Sequence, residues 1–352
     1  MAPLISADNE WSRLKAVIVG RAEHSAFPSE PRAVFEACMP AEHVDEFRPG
    51  NPFSADIVAK AQAELDNFAS VLQQHGVKVY RPDEVDWLKV GGYTGSMPRD
   101  TLMTVGNTLI ESPFAWACRR REVDLAYLNI LRELSSGSGP ARICRAPTII
   151  GKDTIYDASF LSGSRDAASA NGDVPVWSIN NTRPAFDVAD FMRLGKTLVG
   201  QLSHVTNMKG IEYLRAQLPD GYSVEVLHTT DDHAMHIDTT ILPLRQGLAI
   251  YNPERVTEAE LRRHAVFTGW DLRPCAIKPK PRASPPMYMC SPWLVLNTLS
   301  LDEKKIFIEE HDVEFANWLK EEFGMEPIML PFQHVNCLGG SFHCATVDLV
   351  RE

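Results

Sequence analysis

One cysteine near the C-terminal end of the sequence is placed where a nucleophile is expected. Cys344 follows Gly339 and Gly340 in the segment 338–346, LGGSFHCAT, and precedes the apolar run 347–350. Glycines let the backbone approach a ligand closely, and a cysteine at the mouth of a strand is well placed to attack an electrophile. The alternative is an inert, buried cysteine beside a turn, which is a common use of this residue type.

A second polar segment, residues 231–240, leads into a predicted strand. In extended geometry the side chains of His236 and Asp238, two residues apart, point to the same face and can meet one ligand. The alternative is a metal site with His233, His236 and Asp238 as ligands, although no further His-rich or acidic segment completes its coordination sphere.

Three further charged residues lie beside apolar runs that are typical of strands. Asp100 follows Arg99, and Asp187 lies in the segment 184–191, PAFDVADF. Because an unpaired carboxylate is costly to bury, each needs a partner. An ion pair with Arg99 for Asp100, and a helix or turn cap for Asp187, are the structural alternatives. Arg255 follows another strand and is, on local grounds, a solvated loop arginine.

A recurring unit must position these residues: an amphipathic helix, a turn and a short apolar strand. Five copies pair a helix with a strand: 59–74 with 76–82, 123–134 with 141–144, 210–218 with 222–226, 258–267 with 269–274, and 313–323 with 327–331. Apolar runs with central turn residues predict β-hairpins at 102–110, 191–199, 240–250 and 294–308. Five such units predict a closed α/β ring that makes residues 1–352 one domain. Residues 162–173 are predicted to be an inserted surface loop.

Composition limits the function classes. The 352 residues are 44% hydrophobic, which is ordinary for a globular protein, and carry a net charge of −11, which argues against nucleic acid as a partner. The seven cysteines are scattered without a CxxC pair, which favours a reducing compartment over a disulfide framework or a structural zinc site. No apolar stretch approaches 18 residues, so no membrane span and a cytoplasmic location are expected.

The order of these residues resembles a known family over nearly the whole chain, beginning at residues 9–11. The segments MPRD, FDVADF, MHID and FHCAT carry the resemblance, and they contain Asp100, Asp187, His236, Asp238 and Cys344. The pattern resembles the amidinotransferases, guanidino-group modifying enzymes that include glycine amidinotransferase and the inosamine-phosphate enzyme of the streptomycin pathway. The resemblance implies a pentein-like fold, a single-domain, five-bladed, pseudo-symmetric α/β propeller, in agreement with the five units.

The resemblance also implies a reaction, in which an amidino group passes from a guanidino donor, arginine in this family, to an amine. A guanidinium cation is a poor electrophile, and forked hydrogen bonds from carboxylates can hold it. We expect Asp187 and Asp238 to do so, with Asp100 in support. The Cys344 thiolate then attacks the guanidino carbon, His236 protonates the departing ornithine, and an amidino-cysteine awaits the acceptor in a ping-pong sequence. Asp187 also orients His236.

The same resemblance implies that Arg255 binds the donor's carboxylate and Ser291 its polar end, with neither a metal nor an organic cofactor. The sequence departs from the glycine enzyme at His233, where that enzyme has Asn, and at the segment 290–293, CSPW. These departures place His233 and Cys290 in an altered substrate pocket. They predict an acceptor other than glycine, namely an amine intermediate of natural-product or toxin biosynthesis.

Two other enzyme classes remain open at this level. A guanidine hydrolase of the arginine deiminase type uses water in place of the amine, and a metal-dependent enzyme uses His233, His236 and Asp238. A catalytically inactive binding module is a further alternative. The amidinotransferase interpretation predicts a small-molecule guanidine donor and a small-molecule amine acceptor. A homodimer is the usual default for such enzymes.

Overall fold

The computed structural model describes the chain except residues 1–3, 39–44, 46–47, 137–140, 164–175, 232, 234, 281 and 283. Most of the predicted surface loop 162–173 therefore lies outside the described residues. Within the described residues, no helix has both the length and the apolar character needed to cross a membrane.

Five three-stranded sheets repeat one topology, which we call a module. The first two strands are antiparallel, a helix follows the second strand, and the third strand runs parallel to the second. Module 2 contains Leu102–Val105, Thr108–Glu111, a π-helical turn Val123–Tyr127 that continues into the helix Leu128–Ser136, and Arg142–Cys144. Module 3 contains Phe191–Leu194, Thr197–Gln201, the helix Met208–Gln217 and Ser223–Leu227.

Modules 4 and 5 have the same order of elements. Module 4 contains Ile241–Arg245, Leu248–Tyr251, the helix Glu258–Arg262 and Asp271–Pro274. Module 5 contains Leu299–Ser300, Lys305–Glu309, the helix Val313–Phe323 and Glu326–Leu330. Outside the modules, Arg21–Ala26 pairs with Tyr93–Gly95, and short helices span Arg32–Cys38, Ala158–Leu161 and Gln333–Asn336.

Both ends of the chain build module 1. Its first strand is the last of the sequence, Thr346–Arg351, which pairs antiparallel with Leu14–Val19. The helix Ala55–Gln74 and the parallel strand Lys78–Tyr80 complete it. Five modules of alternating strands and helices confirm the predicted pentein-like α/β fold.

Aromatic packing in module 1 fixes the segment that carries Cys344. The helix Ala55–Gln74 buries one face, from which Phe68 packs edge-on against Phe342 with ring centroids 5.0 Å apart. Phe342 also stacks on Phe332 at 3.9 Å. All three rings are fully buried. The hydrophobic core therefore holds the backbone two residues before the cysteine.

The predicted hairpin 294–308 is wrong in its first half. Residues 294–296 belong to the 3₁₀ helix Pro292–Leu296, and the first strand is reduced to Leu299–Ser300. Pro292 lacks an N–H and has a fixed φ, which suits the first position of a helix. The fourth predicted helix, 258–267, is split into Glu258–Arg262 and the 3₁₀ turn Ala265–Phe267.

Buried ion pairs connect module 1 with module 3. Arg193 of module 3 pairs with Glu10 at 2.6 Å and with Asp348 of module 1. Asp348 also pairs with Arg99 at 2.9 Å and Arg351 at 2.7 Å. Burial alone raises the pKa of Asp348, but these arginines outweigh it and hold the pKa well below its usual range. Asp348 is therefore ionised in the folded protein.

We expect Arg193→Met to destabilise the fold by about 3–5 kcal/mol, because it leaves Glu10 and Asp348 buried with one cation fewer. Urea unfolding followed by tryptophan fluorescence measures the change. Arg273→Met is the control, because Arg273 pairs with Asp271 at an exposed site and its replacement should leave the stability unchanged. Equal unfolding midpoints for the two variants would contradict a structural role for the buried network.

Candidate active site

A turn before the first strand of each module carries a polar residue. Asp100 ends the 3₁₀ turn Pro98–Asp100 two residues before a strand, and Cys344 lies two residues before Thr346–Arg351. Because the modules repeat one topology, the equivalent turns bring together Asp100, Asp187, Asp238, Asn297 and Cys344. All of them except Asp187 line one cavity of about 440 Å³.

Cys344 is buried and held by an asparagine that the sequence analysis missed. The Asn297 Nδ2 donates to the Cys344 Sγ at 3.0 Å, and its Oδ1 accepts the backbone N–H groups of Ser341 and Cys344 at 3.1 Å. Asn297 lies two residues before Leu299–Ser300, as Asp100 and Cys344 do before their strands. This equivalent position in the repeat is the signal that could have identified Asn297.

The glycine that precedes this turn has no room for a side chain. A Cβ added at Gly340 would lie 2.3 Å from the Cβ of Cys344 and 2.7 Å from the sulfur of Met97. A Cβ at that distance forces the cysteine to move. Gly340 therefore allows the backbone to turn close behind the sulfur.

His236 lies between two carboxylates at the edge of the same cavity. Its Nε2 is 3.2 Å from Asp187 Oδ2, and its Nδ1 is 3.7 Å from Asp100 Oδ1. A ring nitrogen of His236, a carboxylate oxygen of Asp100 and the Cys344 Sγ all lie within 4.8 Å of one another. The His236 backbone has a φ of +65°, which is rare for a residue with a side chain, and a bond from its N–H to Asp190 Oδ1 at 2.9 Å holds it there.

The carboxylates around His236 control its charge. Burial alone lowers the pKa of His236, but Asp100, Asp187 and Asp190 outweigh burial and raise it to about 10. The ring is therefore an imidazolium at neutral pH. A positively charged histidine beside a thiol is ready to donate a proton to a departing group.

Three buried carboxylates retain hydrogen-bonding capacity. One oxygen of Asp238 accepts from His343 Nδ1 at 2.8 Å, and one of Asp100 accepts from Arg119 Nη1 at 2.6 Å. The Oδ1 atoms of Asp100, Asp187 and Asp238 have no hydrogen bond to any described residue. A buried acceptor without a donor is costly, so the site favours a ligand with several N–H groups and a positive charge.

The same carboxylates favour the protonated form of Cys344. Burial raises the pKa of the Cys344 thiol well above its usual value, and Asp238 and Asp100 raise it further. The thiol donates to Asp238 Oδ2 at 3.2 Å. A cation bound beside these carboxylates would offset their charge and lower the pKa of the thiol.

Arg119 is a second residue that the sequence analysis did not identify. Its guanidinium is buried and pairs with Asp100 at 2.6 Å and Glu122 at 2.7 Å. It lies 3.6 Å from Asp187 and over the ring of Phe114 at 4.4 Å. In the sequence, Arg119 belongs to a short basic run at 119–121. Its pairing with Asp100 is not visible there, because Asp100 lies in another segment.

The outer part of the cavity contains the other predicted residues. Arg255 is buried and pairs with Asp231 at 2.7 Å, so the interpretation of a solvated loop arginine was wrong. His233 is exposed, Ser291 is partly buried and Cys290 is buried, and all three line the cavity. Arg255 can bind an anionic group there only in competition with Asp231.

The metal-ligand set considered from the sequence is not assembled. Among the described residues, the potential ligand atoms that converge are those of Asp100, His236 and Cys344, and those of the surface residues 309–311. His233 belongs to neither group.

The similarity of this chain to known proteins extends along almost its whole length. No family model matches the sequence. The L-arginine:L-lysine amidinotransferase of Pseudomonas savastanoi pv. phaseolicola is 38% identical over 97% of this chain and 93% of that protein. The chain belongs to the amidinotransferase family.

Two other amidinotransferases support this membership. The mitochondrial glycine amidinotransferase of Gallus gallus is 35% identical over 98% of this chain and 82% of that protein. Among solved structures, SxtG, an amidinotransferase from Microseira wollei in the saxitoxin biosynthetic pathway, superposes with a TM-score of 0.87 at 32% identity. The match covers 99% of this chain and 98% of SxtG. The predicted family and the predicted transferase class are confirmed.

Proposed function

We propose that this amidinotransferase moves the amidino group of L-arginine to an amine other than glycine, through an amidino adduct on Cys344. The observation that carries the proposal is the Cys344 thiol beside a charged His236 and three buried carboxylates with unused acceptor oxygens. Arginine is the donor printed in the name of the Pseudomonas relative, and SxtG is described as a biosynthetic enzyme. The proposed acceptor is an amine intermediate of natural-product or toxin biosynthesis.

In the first half-reaction the guanidinium lies against Asp187 and Asp238, with Asp100 in support. Its charge lowers the pKa of Cys344, whose proton passes along the existing hydrogen bond to Asp238. The thiolate attacks the guanidino carbon, the bond from that carbon to the ornithine nitrogen breaks, and His236 gives its proton to that nitrogen. Ornithine leaves and the amidino group remains on sulfur.

In the second half-reaction the acceptor amine occupies the place that ornithine left. His236, now neutral, takes a proton from the amine as its nitrogen attacks the amidino carbon. The bond from carbon to sulfur breaks, and the thiolate recovers its proton from Asp238. Asp187, at 3.2 Å from the His236 Nε2, stabilises the imidazolium at the start and end of the cycle.

The remaining predicted residues act on the outer part of the substrates. Arg255 binds the donor's carboxylate after it releases Asp231, Ser291 binds its polar end, and Cys290 and His233 shape the wall. No step uses a metal or an organic cofactor. We propose that residues 1–352 act as one domain, with a homodimer as the default assembly.

The test is whether ornithine formation depends on an amine. We expect little ornithine from arginine alone, and sustained ornithine formation with equimolar amidinated product when the correct amine in a panel is added. Citrulline and ammonia formed from arginine at full rate without an amine would overturn the transferase proposal and favour the guanidine hydrolase.

We expect kcat/KM for arginine to have a bell-shaped dependence on pH. Burial raises the pKa of Asp187 to about 6, so activity should fall as the pH falls through about 6, because Asp187 is protonated and its ion pair with His236 is lost. The pKa of His236 is about 10, so activity should fall again as the pH rises through about 10 and the general acid is lost. Initial rates at low arginine between pH 5 and pH 11 measure both limbs. A profile that fell near pH 7 with a single limb would contradict the assigned charges.

A further inference from the structure

A second cavity lies outside the active site, in module 2 and in the segment between modules 2 and 3. It has a volume of about 970 Å³ and is lined by residues 111–114, 145–154 and 182–184, with Arg120 and Asp124. Phe114 is part of its lining, and the ring of Phe114 also contacts the guanidinium of Arg119 in the active site. The mechanism above uses none of its charged side chains.

One end of this cavity holds more positive than negative charge. Arg120 and Arg183 both pair with one carboxylate, Asp153, and both donate to the carbonyl oxygen of Ala115. Lys152 also lines this end, is exposed, and has no partner among the described residues. Besides Asp153, the buried Glu30 also acts on the charge of Arg120, so three cations face two carboxylates and leave a surplus of one positive charge.

The other end of the cavity is not a source of this surplus. There Arg145 pairs with Glu111 and with Asp124 at 2.6 Å, so two carboxylates neutralise one guanidinium. The positive surplus is therefore confined to the end that contains Arg120, Arg183 and Lys152. The whole chain carries a charge of −11, so a local surplus of this sign is not a general property of the surface.

Arg120 keeps donors available for a ligand. Its Nη2 bonds Asp153 and the carbonyl of Ala115, but its Nη1 and Nε have no hydrogen bond to any described residue. Burial lowers the pKa of this guanidinium and repulsion from the nearby Arg183 lowers it further, although Asp153 and Glu30 act in the opposite direction. An anion between them and Lys152 would relieve that repulsion.

We propose that this end of the cavity is a binding site for a phosphate group, held by Arg120, Arg183 and Lys152. A phosphate carries a charge of about −1.5 to −2 at pH 7, which a positive surplus attracts. Arginine forks bind phosphate oxygens through paired, charge-assisted hydrogen bonds, and lysine adds a point charge. The site is separate from the cavity that contains Cys344, so it does not depend on the proposed reaction.

Isothermal titration of the purified enzyme with inorganic phosphate and with glycerol phosphate tests the site. We expect saturable binding of at least one of them, which weakens as ionic strength rises. Tighter binding of glycerol phosphate would identify a phosphate ester as the ligand, and tighter binding of inorganic phosphate would identify the free ion. Absence of saturable binding of both would overturn the proposal.

Variants show whether binding occurs at these residues. Arg120→Gln and Lys152→Gln should each weaken binding about tenfold or more, since each removes a charged donor. Lys152 is exposed and has no hydrogen bond or ion pair to a described residue, so its variant should fold even if the arginine variant does not. The control is Arg142→Gln, because Arg142 bonds Gln217 outside the cavity and should leave binding unchanged. Unchanged affinity in Lys152→Gln and Arg120→Gln would overturn the assignment. Cys344→Ser should bind phosphate normally even if the proposed reaction is wrong.

Discussion

Replacement of Cys344 by serine is expected to reduce kcat for amidino transfer by at least about 10⁴-fold. A hydroxyl has a far higher pKa than a thiol, and the surrounding carboxylates would raise it further. Serine therefore cannot form the attacking anion at neutral pH. Steady-state rates of ornithine formation, with arginine and an active amine, measure the loss. The KM for arginine should change little, because the carboxylates that bind the guanidinium remain.

The matched control is Cys144→Ser. Cys144 is another buried cysteine, at the end of the strand Arg142–Cys144, and it lines neither the active-site cavity nor the cavity that contains Arg120 and Arg183. We expect this variant to retain wild-type kcat. Equal activity of the Cys344→Ser and Cys144→Ser variants would show that neither sulfur is the nucleophile.

Asp187→Asn should lower kcat/KM by about 10⁴-fold, because an amide cannot stabilise the His236 imidazolium and can fix the wrong tautomer. The same substitution removes one of the carboxylates that raise the pKa of His236 from its usual value to about 10. The alkaline limb of the pH–rate profile should therefore move to lower pH. That shift separates an effect on His236 from a general loss of structure.

The control for this variant is Asp56→Asn, an exposed carboxylate that pairs with Lys60 on the helix Ala55–Gln74. It should leave both the rate and the pH profile unchanged. An Asp187→Asn enzyme with reduced activity and an unmoved alkaline limb would contradict the assigned contact between Asp187 and His236.

The fold was predictable because its signal is repeated along the chain. Each helix with apolar residues at helical spacing is followed by a short apolar strand, and five repeats reveal the topology even where one boundary is uncertain. The prediction failed at 294–308 because the first strand there has only two residues, Leu299–Ser300, and the apolar run before it is a 3₁₀ helix. An apolar run alone does not distinguish a buried strand from a buried turn.

The candidate site was only partly predictable from the sequence. Cys344 and His236 could be found because polar residues interrupt apolar runs at recognisable segments. Asn297 also interrupts an apolar run, but the predicted hairpin 294–308 placed it inside a strand. Its role comes from contacts with a turn 44 to 47 positions away in the sequence. The ion pairs of Arg119 with Asp100 and of Arg255 with Asp231 likewise join separate turns, which local spacing does not show.

Intact-mass spectrometry of the enzyme, quenched in acid shortly after mixing with arginine and without an amine, tests the proposed chemistry most directly. We predict one adduct with the mass of an amidino group, located on Cys344 by peptide mapping and lost when an active amine is added. The Cys344→Ser variant should show no adduct. Turnover of arginine and amine to products without an adduct at any quench time, or an adduct that persists in Cys344→Ser, would contradict the covalent mechanism.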